Sequence, residues 1–565
     1  MAEARVFTCP RSIWRNGKDF FGAHIISLTG GLLFLILAIF LLWPILALLL
    51  KSVSGPEGFT LEYYKLFLTK SYYYRSFFNT LFLGILTTAV CISVGFCIAY
   101  MTTRGPIHLR KILSFIALLP LVAPPYIFAL SLIILFGRMG VITRAFNLSW
   151  SIYGFAGCVI AQTLTFLPLA YMMIENSLVT LNPNLEDSAA NLGASEQKIL
   201  RSITMPLLTP GFLKAALIVF VLSVAEFGNV ALLRGRTPFL APDVYVMITG
   251  AESNFNMGSV LSVFLMLPCV VIFLLQNYLT RGKGYTTILG KPVAAEPRHI
   301  TPAILIPFIA ASFFACGLIL LTFGVVGVGA FTQIVGINNT FVLKHILNTR
   351  SNLALINSVK ISILTGVLGA ILGIILAYVI GRGRFKGRAV LEMLSLSGFA
   401  LPGTAMGIGY ILAFSKPPLH LTGTVMILVI CSMFREFVVG VEAGITKLKQ
   451  LSIEVEEASL NLGANTATTF RRIVFPIIFP AFIYGFLYGF MRTMVTLSAV
   501  IFLASPKTYL ASIFIFDSGT FGELGVACAT SLKLIVIVGI ALAVLQVLSK
   551  WTGLSVTRGK EGGLE

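Results

Sequence analysis

Charge is scarce in this chain of 565 residues. Only 11% of the residues are charged, 57% are hydrophobic, and the mean hydropathy is +0.93. A soluble chain of this length needs far more charge to cover its surface. Many windows exceed about 20 apolar residues, the length that crosses a bilayer as a helix. Because these runs are long and do not alternate, the sequence predicts an all-α polytopic membrane protein.

Residues that carry catalysis or bind metals are also scarce. The 8 Cys form no Cys-x-x-Cys motif, and the 5 His are scattered without the spacing of metal ligands. The cluster of carboxylates, His or Cys that a membrane-embedded enzyme needs is not visible, and no Gly-x-x-x-x-Gly-Lys-Ser/Thr phosphate loop is present. The net charge of +19 is not arranged as a basic stripe with interleaved aromatics, so it does not indicate nucleic-acid binding. We expect no disulfides, no cofactor or metal bound by this chain, and no ATP hydrolysis.

The apolar runs predict about twelve membrane spans. They lie near residues 25–50, 77–102, 111–137, 152–178, 211–234, 258–280, 301–327, 355–380, 390–414, 422–445, 477–504 and 530–549. Lys and Arg are concentrated in the two termini and in the loops 103–111, 181–201, 281–298, 382–388 and 446–472. The positive-inside rule assigns those segments to the cytoplasm, so both termini are predicted to be cytoplasmic. The N-terminal segment is predicted to be a retained tail, since it has no small-residue cleavage site.

One polar segment occurs twice. Residues 186–210 read EDSAANLGASEQKILRSITMPLLTP, and residues 456–480 read EEASLNLGANTATTFRRIVFPIIFP. Matching residues recur 270 positions later without a gap, while Asn79 and Asn357, like Pro124 and Pro402, are 278 positions apart. Six spans per repeat is an even number, so we predict two parallel six-helix repeats related by an axis along the membrane normal. The predicted divisions are a tail (1–24), a first repeat (25–280), a cytoplasmic linker (281–300), a second repeat (301–549) and a tail (550–565).

Each copy of this polar loop, 182–210 and 452–480, is predicted to form two short helices joined by a sharp turn. Asn182 and Ser452 stand at the N-cap position of the first helix, and Ser195 and Asn465 at that of the second. A glycine follows the first helix, where a residue without Cβ permits a left-handed turn. A proline is predicted to end the second helix before the next span begins. Such a unit lies on lipid headgroups or docks to a protein. Its acidic start favours the protein, because the cytoplasmic leaflet is negative.

The loops resemble the cytoplasmic loop of bacterial ABC importer permeases. That family's pattern is Glu-Ala-Ala-x-x-x-Gly, followed about a dozen residues later by Pro, and here it reads Asp187-Ser188-Ala189…Gly193 and Glu457-Ala458-Ser459…Gly463. The resemblance implies two copies of an ATP-binding subunit that holds ATP and Mg, a periplasmic or lipid-anchored solute-binding protein, and a bacterial inner membrane. It also implies that the loops couple transport to the ATPase through Glu186, Asp187, Ala189, Leu192, Gly193, Ala194 and Pro206, and through Glu456, Glu457, Ala458, Leu462, Gly463, Ala464 and Pro476.

The fused double-length form resembles the ferric-iron-type permeases. The stretches SVAEFGNVALLRG (223–235) and TLSAVIFLASP (496–506) carry this resemblance. It implies ferric iron as the cargo, with a phosphorylated or phosphonate solute, thiamine or a polyamine as alternatives for the same machinery. An ion-coupled secondary transporter would share the spans and the parallel repeat, but it would not need two cytoplasmic helix–turn–helix loops.

Polar residues inside the predicted spans are candidates for the translocation path. Buried charge in lipid is costly unless it is paired or faces water, so such residues mark a path by default. The alternative is a structural ion pair, for example Glu226 with Arg492. Because neighbours on a helix point apart, Arg435 and Glu436 are not expected to face one partner. The path candidates are Glu226, Asn229, Arg435, Glu436, Arg492 and Thr496, with Glu175 as a weaker one.

Overall fold

The computed structural model describes residues 17–280, 301–383 and 385–552. The predicted linker 281–300 and most of both predicted tails lie outside the described residues. Within the described part, helices dominate and the few strands form two small hairpins. The expected all-α fold is therefore confirmed.

The first half contains helices α1 to α14. In chain order they are α1 (Gly17–Leu37), α2 (Trp43–Ser52), α3 (Glu62–Thr69), α4 (Ser71–Thr103), α5 (Ile107–Leu118), α6 (Ile127–Phe136), α7 (Val141–Ala145), α8 (Phe155–Thr180), α9 (Pro183–Asn191), α10 (Glu196–Ile199), α11 (Met205–Val224), α12 (Gly228–Leu233), α13 (Leu240–Thr249) and α14 (Phe255–Thr280). A π-helical turn, Ala38–Leu42, joins α1 to α2, and a second, Leu200–Thr204, joins α10 to α11. Strands β1 (Ser54–Gly55) and β2 (Gly58–Phe59) pair antiparallel after α2.

The second half follows the same order. Strands β3 (Thr332–Ile334) and β4 (Asn338–Phe341) pair antiparallel after its first helix, and the π-helical turn Phe470–Val474 precedes α23. The helices are α15 (Pro302–Phe331), α16 (Thr349–Arg382), α17 (Arg388–Leu396), α18 (Gly403–Phe414), α19 (Val425–Glu436), α20 (Val438–Gln450), α21 (Ile453–Asn461), α22 (Thr466–Thr469), α23 (Phe475–Val495), α24 (Ala511–Thr520) and α25 (Leu524–Thr552).

Ten helical segments among the described residues are long and apolar enough to cross a membrane. The predicted spans 390–414 and 422–445 are not among them, because each is divided into two shorter helices, α17 with α18 and α19 with α20. The predicted span 111–137 is similarly divided between α5 and α6. Proline lies at two of these three breaks: Pro120 and Pro124 precede α6 in span 111–137, and Pro402 precedes α18 in span 390–414. Its missing N–H and ring clash stop a helix from continuing, as expected for these residues.

The first helix of each half packs against the other half. The Tyr410 hydroxyl of α18, in the second half, donates to the carbonyl oxygen of Phe40, in the π-helical turn after α1, at 2.6 Å. Conversely, the Ser131 hydroxyl of α6, in the first half, donates to the Thr322 carbonyl oxygen of α15 at 3.0 Å. The halves are therefore interlocked, since the first membrane segment of each contacts helices of the other.

Small residues bring the long helices of the second half close together. A Cβ added to Gly485 of α23 would lie 3.0 Å from the Gly440 Cα of α20, and one added to Gly366 of α16 would lie 2.8 Å from the Phe486 carbonyl oxygen. Lipid tails are as apolar as leucine, so membrane helices associate through such close backbone packing rather than through water exclusion. These contacts fix how α16, α20 and α23 pack.

Replacing Gly485 by valine is expected to lower the thermal stability of the detergent-solubilised protein. Overpacking of a tight site costs about 1–3 kcal/mol, because α23 must move away from α20. Gly317→Val on α15 is the matched control, since a Cβ there meets nothing within 4 Å. Equal melting temperatures for the two variants would contradict the close packing.

Candidate coupling loops and translocation path

Both repeated loops form the expected helix–turn–helix. In the first, α9 ends before Gly193, whose φ is +81°, and in the second α21 ends before Gly463, whose φ is +90°. This left-handed region is open to glycine and strained for residues with a Cβ. The turns therefore depend on glycine at these two positions.

The helix caps follow the prediction only in part. The Asn182 side chain accepts the Asn184 N–H at 3.0 Å, and the Asn465 side chain accepts the Thr468 N–H at 2.8 Å. Ser195 makes no side-chain cap bond. The Ser452 hydroxyl donates instead to the Glu454 carboxylate, which lowers the pKa of Glu454 below its usual range. Glu454 therefore stays ionised at the start of α21, where the helix dipole favours negative charge.

The prediction that Pro206 and Pro476 end the second helix of each loop is wrong. The chain stays helical from Glu196 to Val224 and from Thr466 to Val495. Each proline is the second residue of its membrane helix and directly follows a π-helical turn. Because a π turn bonds i to i+5, the π-helical turn directly before each proline accommodates a residue that has no N–H to donate. Each loop is therefore continuous with the membrane helix behind it.

The residues at the turns protrude. Leu192 is 89% exposed and Leu462 is 90% exposed, and both sit beside the left-handed glycines. Most of the other predicted coupling residues are also exposed (Asp187, Pro206, Glu457, Ala458 and Pro476), whereas Ala189, Ala194 and Ala464 are half-buried. A large apolar side chain held in the open at the same place in both halves is typical of a contact surface, and neither leucine is covered by the part of the chain that the structure describes.

The first loop also borders an open hollow of about 530 Å³ beside α9 and α10. Leu192, Gly193 and Lys198 are among the residues that line it.

Glu186 and Glu456 occupy a different environment, since both are buried. The Glu186 Oε2 atom lies 3.2 Å from the Arg104 Nε atom, and its Oε1 atom accepts the Thr204 hydroxyl at 2.7 Å. The Glu456 Oε1 atom lies 2.6 Å from the Arg382 Nε atom. These glutamates hold the loops against the membrane helices and present no exposed carboxylate.

The sequence analysis missed the two arginines. Arg104 and Arg382 are 278 positions apart, the spacing already seen for Asn79 and Asn357. The signal that could have found them is therefore this recurrence, combined with the rule that a buried carboxylate needs a cationic partner.

The path candidates of the second half form one cluster. The Glu436 carboxylate lies 3.5 Å from the Arg492 Nε atom and 3.8 Å from the Arg435 Nε atom. Arg435 also donates to the hydroxyls of Thr496 at 3.0 Å and Ser498 at 3.2 Å. Arg492 thus pairs with Glu436, so the alternative pairing of Glu226 with Arg492 is wrong. Arg435 and Glu436, adjacent on α19, reach different partners outside their own helix, as expected: Arg435 bonds Thr496 and Ser498, and Glu436 pairs with Arg492.

The path candidates of the first half are held by backbone and amide groups. The Glu226 carboxylate accepts the Asn229 N–H at 3.1 Å and the Val230 N–H at 3.4 Å, at the start of α12. The Asn229 side chain donates to the Thr165 hydroxyl at 3.0 Å. Glu226 corresponds to Thr496 at the 270-residue spacing, and Thr165 corresponds to Arg435. The two halves thus carry different charges at equivalent positions.

The two sets approach each other where the halves meet. A Cβ added to Gly228, two residues after Glu226, would lie 3.3 Å from the Leu497 side chain. A Cβ added to Gly403 would lie 2.6 Å from the Arg435 Nη1 atom. Glu175 lies elsewhere and accepts hydroxyls from Tyr171 at 2.7 Å and Thr102 at 3.2 Å. The structure therefore brings the segment after Glu226 against the segment after Thr496 at the border between the halves, and Glu175 bonds within the first half.

Comparison with known families assigns the class of this protein. The family described as the binding-protein-dependent transport system inner membrane component matches residues 95–285 and 369–553. The chain belongs to this family, and it carries the family's unit twice. It is a multi-pass inner-membrane permease of a binding-protein-dependent ABC importer, in fused double-length form, as the repeated loops indicated.

The similar proteins include ferric transport permeases that match over most of the chain. The chain is 31% identical over 524 residues to the ferric transport system permease protein of Actinobacillus pleuropneumoniae, covering 90% of this chain and 76% of that protein. It is 30% identical over 498 residues to a putative ferric transport system permease protein of Haemophilus influenzae, covering 86% of this chain and 79% of that protein. A solved bacterial ABC transporter involved in alginate import is 17% identical, with a TM-score of 0.40 over 47% of this chain and 99% of that chain.

Proposed function

We propose that this chain forms the translocation path of an ATP-driven importer of ferric iron. Two ATP-binding subunits would carry the ATP and Mg and grip the exposed tips at Leu192 and Leu462. A periplasmic or lipid-anchored binding protein would deliver the cargo to the opposite face, and both termini would lie in the cytoplasm. ATP-driven closure of the two subunits would draw the tips together and tilt the halves, so that the path opens outward.

One observation carries the proposal. The same exposed leucine on the same left-handed turn occurs in both halves, and each turn is tied to the membrane helices by a buried ion pair. A loop that only connected two spans would need neither the exposed leucine nor the buried anchor. A symmetric pair of such loops suits two identical subunits that approach along one axis.

The cargo rests on separate support. The two ferric transport permeases match 90% and 86% of this chain, and both are double-length permeases at about 30% identity. A phosphorylated or phosphonate solute, thiamine or a polyamine remains the alternative cargo for the same machinery. Uptake of radiolabelled ferric iron by cells that carry the complete system, with labelled putrescine and thiamine as competitors, distinguishes them. Iron uptake that persists when this chain is deleted would contradict the assignment.

Contact with the ATP-binding subunit can be tested by photo-cross-linking. A photoreactive residue at position 192 or 462 is expected to capture that subunit in membranes, because both side chains are almost fully exposed. The matched control is position 343, where the exposed Leu343 follows the β3–β4 hairpin at the other end of the spans. Capture from position 343 but not from 192 or 462 would reverse the proposed orientation of the chain.

A further inference from the structure

Helices α4 and α16 are each fastened to a coupling loop at one end. Arg104 directly follows α4 and pairs with Glu186 of α9, and Arg382 ends α16 and pairs with Glu456 of α21. The paired side chains are only 3% and 7% exposed in the first half and 13% and 11% in the second. Arg382 also donates to the carbonyl oxygens of Leu448 at 3.1 Å and Leu451 at 2.9 Å. Separating the two side chains would leave a buried charge without its partner, which is costly. The loop and the helix end are therefore expected to move together.

The other end of each helix is fastened to the segment that follows the fifth span. The Asn79 amide of α4 donates to the Pro238 carbonyl oxygen at 3.0 Å, and the Thr80 hydroxyl accepts the Leu240 N–H at 3.0 Å. Pro238 and Leu240 lead into α13, in the stretch of chain that begins at Glu226 beside the path. The outer end of α4 is thus tied to the border of the path.

The second half repeats this outer joint. The Asn357 amide of α16 donates to the Tyr509 carbonyl oxygen at 3.2 Å, and the Ser358 hydroxyl accepts the Ala511 N–H at 2.8 Å. Asn79 and Asn357 are 278 positions apart, as are Thr80 and Ser358, while the partners Pro238 and Tyr509 are 271 apart. The same pair of hydrogen bonds therefore occurs in both halves between equivalent residues. This recurrence indicates that the joint belongs to the repeated fold and is not an accident of packing in one half.

We propose that α4 and α16 are connecting rods between the coupling loops and the outer border of the path. Arg104, Asn79 and Thr80 are then positioning residues in the first rod, with Arg382, Asn357 and Ser358 in the second. The inference rests on the proposed contact between the coupling loops and the ATP-binding subunits. It adds the route by which motion of those loops reaches the far side of the membrane.

The geometry of the rods suits this role. Helix α4 has 33 residues and α16 has 34. At about 1.5 Å per residue each whole helix is about 50 Å long, and the 25 residue steps from Asn79 to Arg104, like those from Asn357 to Arg382, span about 38 Å, enough to cross the hydrocarbon core of a bilayer. An α-helix is stiff along its axis, because every turn is hydrogen-bonded to the next. A shift at the loop is therefore delivered to the outer segment only if both ends are held.

The test separates ATP hydrolysis from uptake. The double variant Asn79→Ala/Thr80→Val, in the full complex with its ATP-binding subunits and binding protein in proteoliposomes, removes the two hydrogen bonds that Asn79 and Thr80 make to Pro238 and Leu240. The Tyr72 and Ser76 hydroxyls of α4 still donate to Asp243 of α13, so the variant weakens the outer joint without detaching α4. We expect ATP hydrolysis to continue and the number of iron ions imported per ATP to fall about 2- to 30-fold, the range for residues within a coupling network.

Thr88→Val on α4 is the matched control. The Thr88 hydroxyl is buried and donates only to the Gly84 carbonyl oxygen of its own helix, at 2.7 Å. Its imported ions per ATP should stay at the wild-type value. An equal ratio for Asn79→Ala/Thr80→Val and for Thr88→Val would overturn the rod, whatever their melting temperatures.

The second rod guards against a variant that fails to assemble. Asn357→Ala/Ser358→Ala removes the equivalent hydrogen bonds and is expected to lower the same ratio, with Ser362→Ala on α16 as its control. Loss of the assembled complex in both double variants would contradict a positioning role, because the joints would then be needed for folding. Absence of ATP-driven uptake by the wild-type complex would contradict the proposed function. Normal wild-type uptake, with the same number of ions imported per ATP in both double variants as in the wild type, would contradict only the role of α4 and α16 as rods.

Discussion

Replacing Gly193 and Gly463 together by valine is expected to lower ATP-driven uptake by about 30- to 900-fold while the protein remains inserted. Both glycines are left-handed, with φ of +81° and +90°. An L residue in this region costs about 1–2 kcal/mol, hence about 2–4 kcal/mol for two loops, and each 1.36 kcal/mol is about tenfold. The loops would relax to another turn, and Leu192 and Leu462 would leave the positions that fit the partner. Uptake into proteoliposomes measures the loss.

The control for this variant is Gly423→Val. Gly423 has a φ of +80°, and a Cβ there, as at Gly193 and Gly463, meets nothing within 4 Å. It lies between α18 and α19, at the opposite end of the spans from the coupling loops. The backbone strain at each substituted site is therefore matched, although the control carries one such site and the test variant carries two. Near-wild-type uptake by the Gly193→Val/Gly463→Val protein, or an equal loss in Gly423→Val, would count against a special role of the loops.

Replacing Glu436 by glutamine is expected to destabilise the protein by about 3–5 kcal/mol and to abolish uptake. Glu436 is the anion between Arg435 and Arg492, and its side chain is 4% exposed. Without its charge, two guanidinium groups lie near each other in a site of low dielectric constant, and each loses its carboxylate partner, although Arg435 keeps the hydroxyls of Thr496 and Ser498. Thermal unfolding in detergent and the yield of assembled complex measure the effect. A melting temperature equal to that of the wild type would show that the arginines do not depend on Glu436.

Glu226→Gln is the comparison for Glu436→Gln. The Glu226 carboxylate accepts backbone N–H groups, and a glutamine side-chain oxygen can accept the same bonds. We therefore expect Glu226→Gln to assemble with the ATP-binding subunits and to change uptake alone. Failure to assemble would assign Glu226 a structural role and remove it from the proposed path.

Periodicity and repetition were sufficient for the architecture of the loops. The recurrence of Leu192-Gly193 at Leu462-Gly463 predicted two equivalent turns, and the structure places both leucines in the open. That part of the prediction needed only local rules, because a left-handed glycine after a short helix is a local feature. The family match then confirmed the class of protein that the repeat indicated.

Features that depend on contacts across the chain could not be read in the same way. Glu186 looked like one more exposed acid of the loop, whereas it is buried on Arg104, which lies 82 residues earlier. Glu226 was considered as a partner of Arg492 because both residues interrupt apolar runs. In the structure α19 packs against α23, so Arg492 pairs with Glu436 instead. Hydrophobicity marks which residues are unusual in a span, but it does not say which helix lies beside them.

The division of long apolar runs was only partly predictable. Pro402 predicts the break before α18. The break between α19 and α20 at Phe437 could not be predicted in this way, because no proline or glycine lies at the junction. Pro206 gave the opposite error, since the π-helical turn before it accommodates a residue that ordinarily ends a helix. Local propensity is a weak guide where tertiary packing decides, as at both sites.

The most direct test of the central claim is the distance between the two tips in the assembled complex. Spin labels attached to Leu192→Cys and Leu462→Cys, in a background without the other cysteines, allow this distance to be measured by pulsed electron paramagnetic resonance. With both ATP-binding subunits present, the distance is expected to shorten on addition of ATP under conditions that block hydrolysis, and to return when nucleotide is removed. A distance distribution that is the same with and without ATP would contradict the claim that these loops are moved by the ATPase.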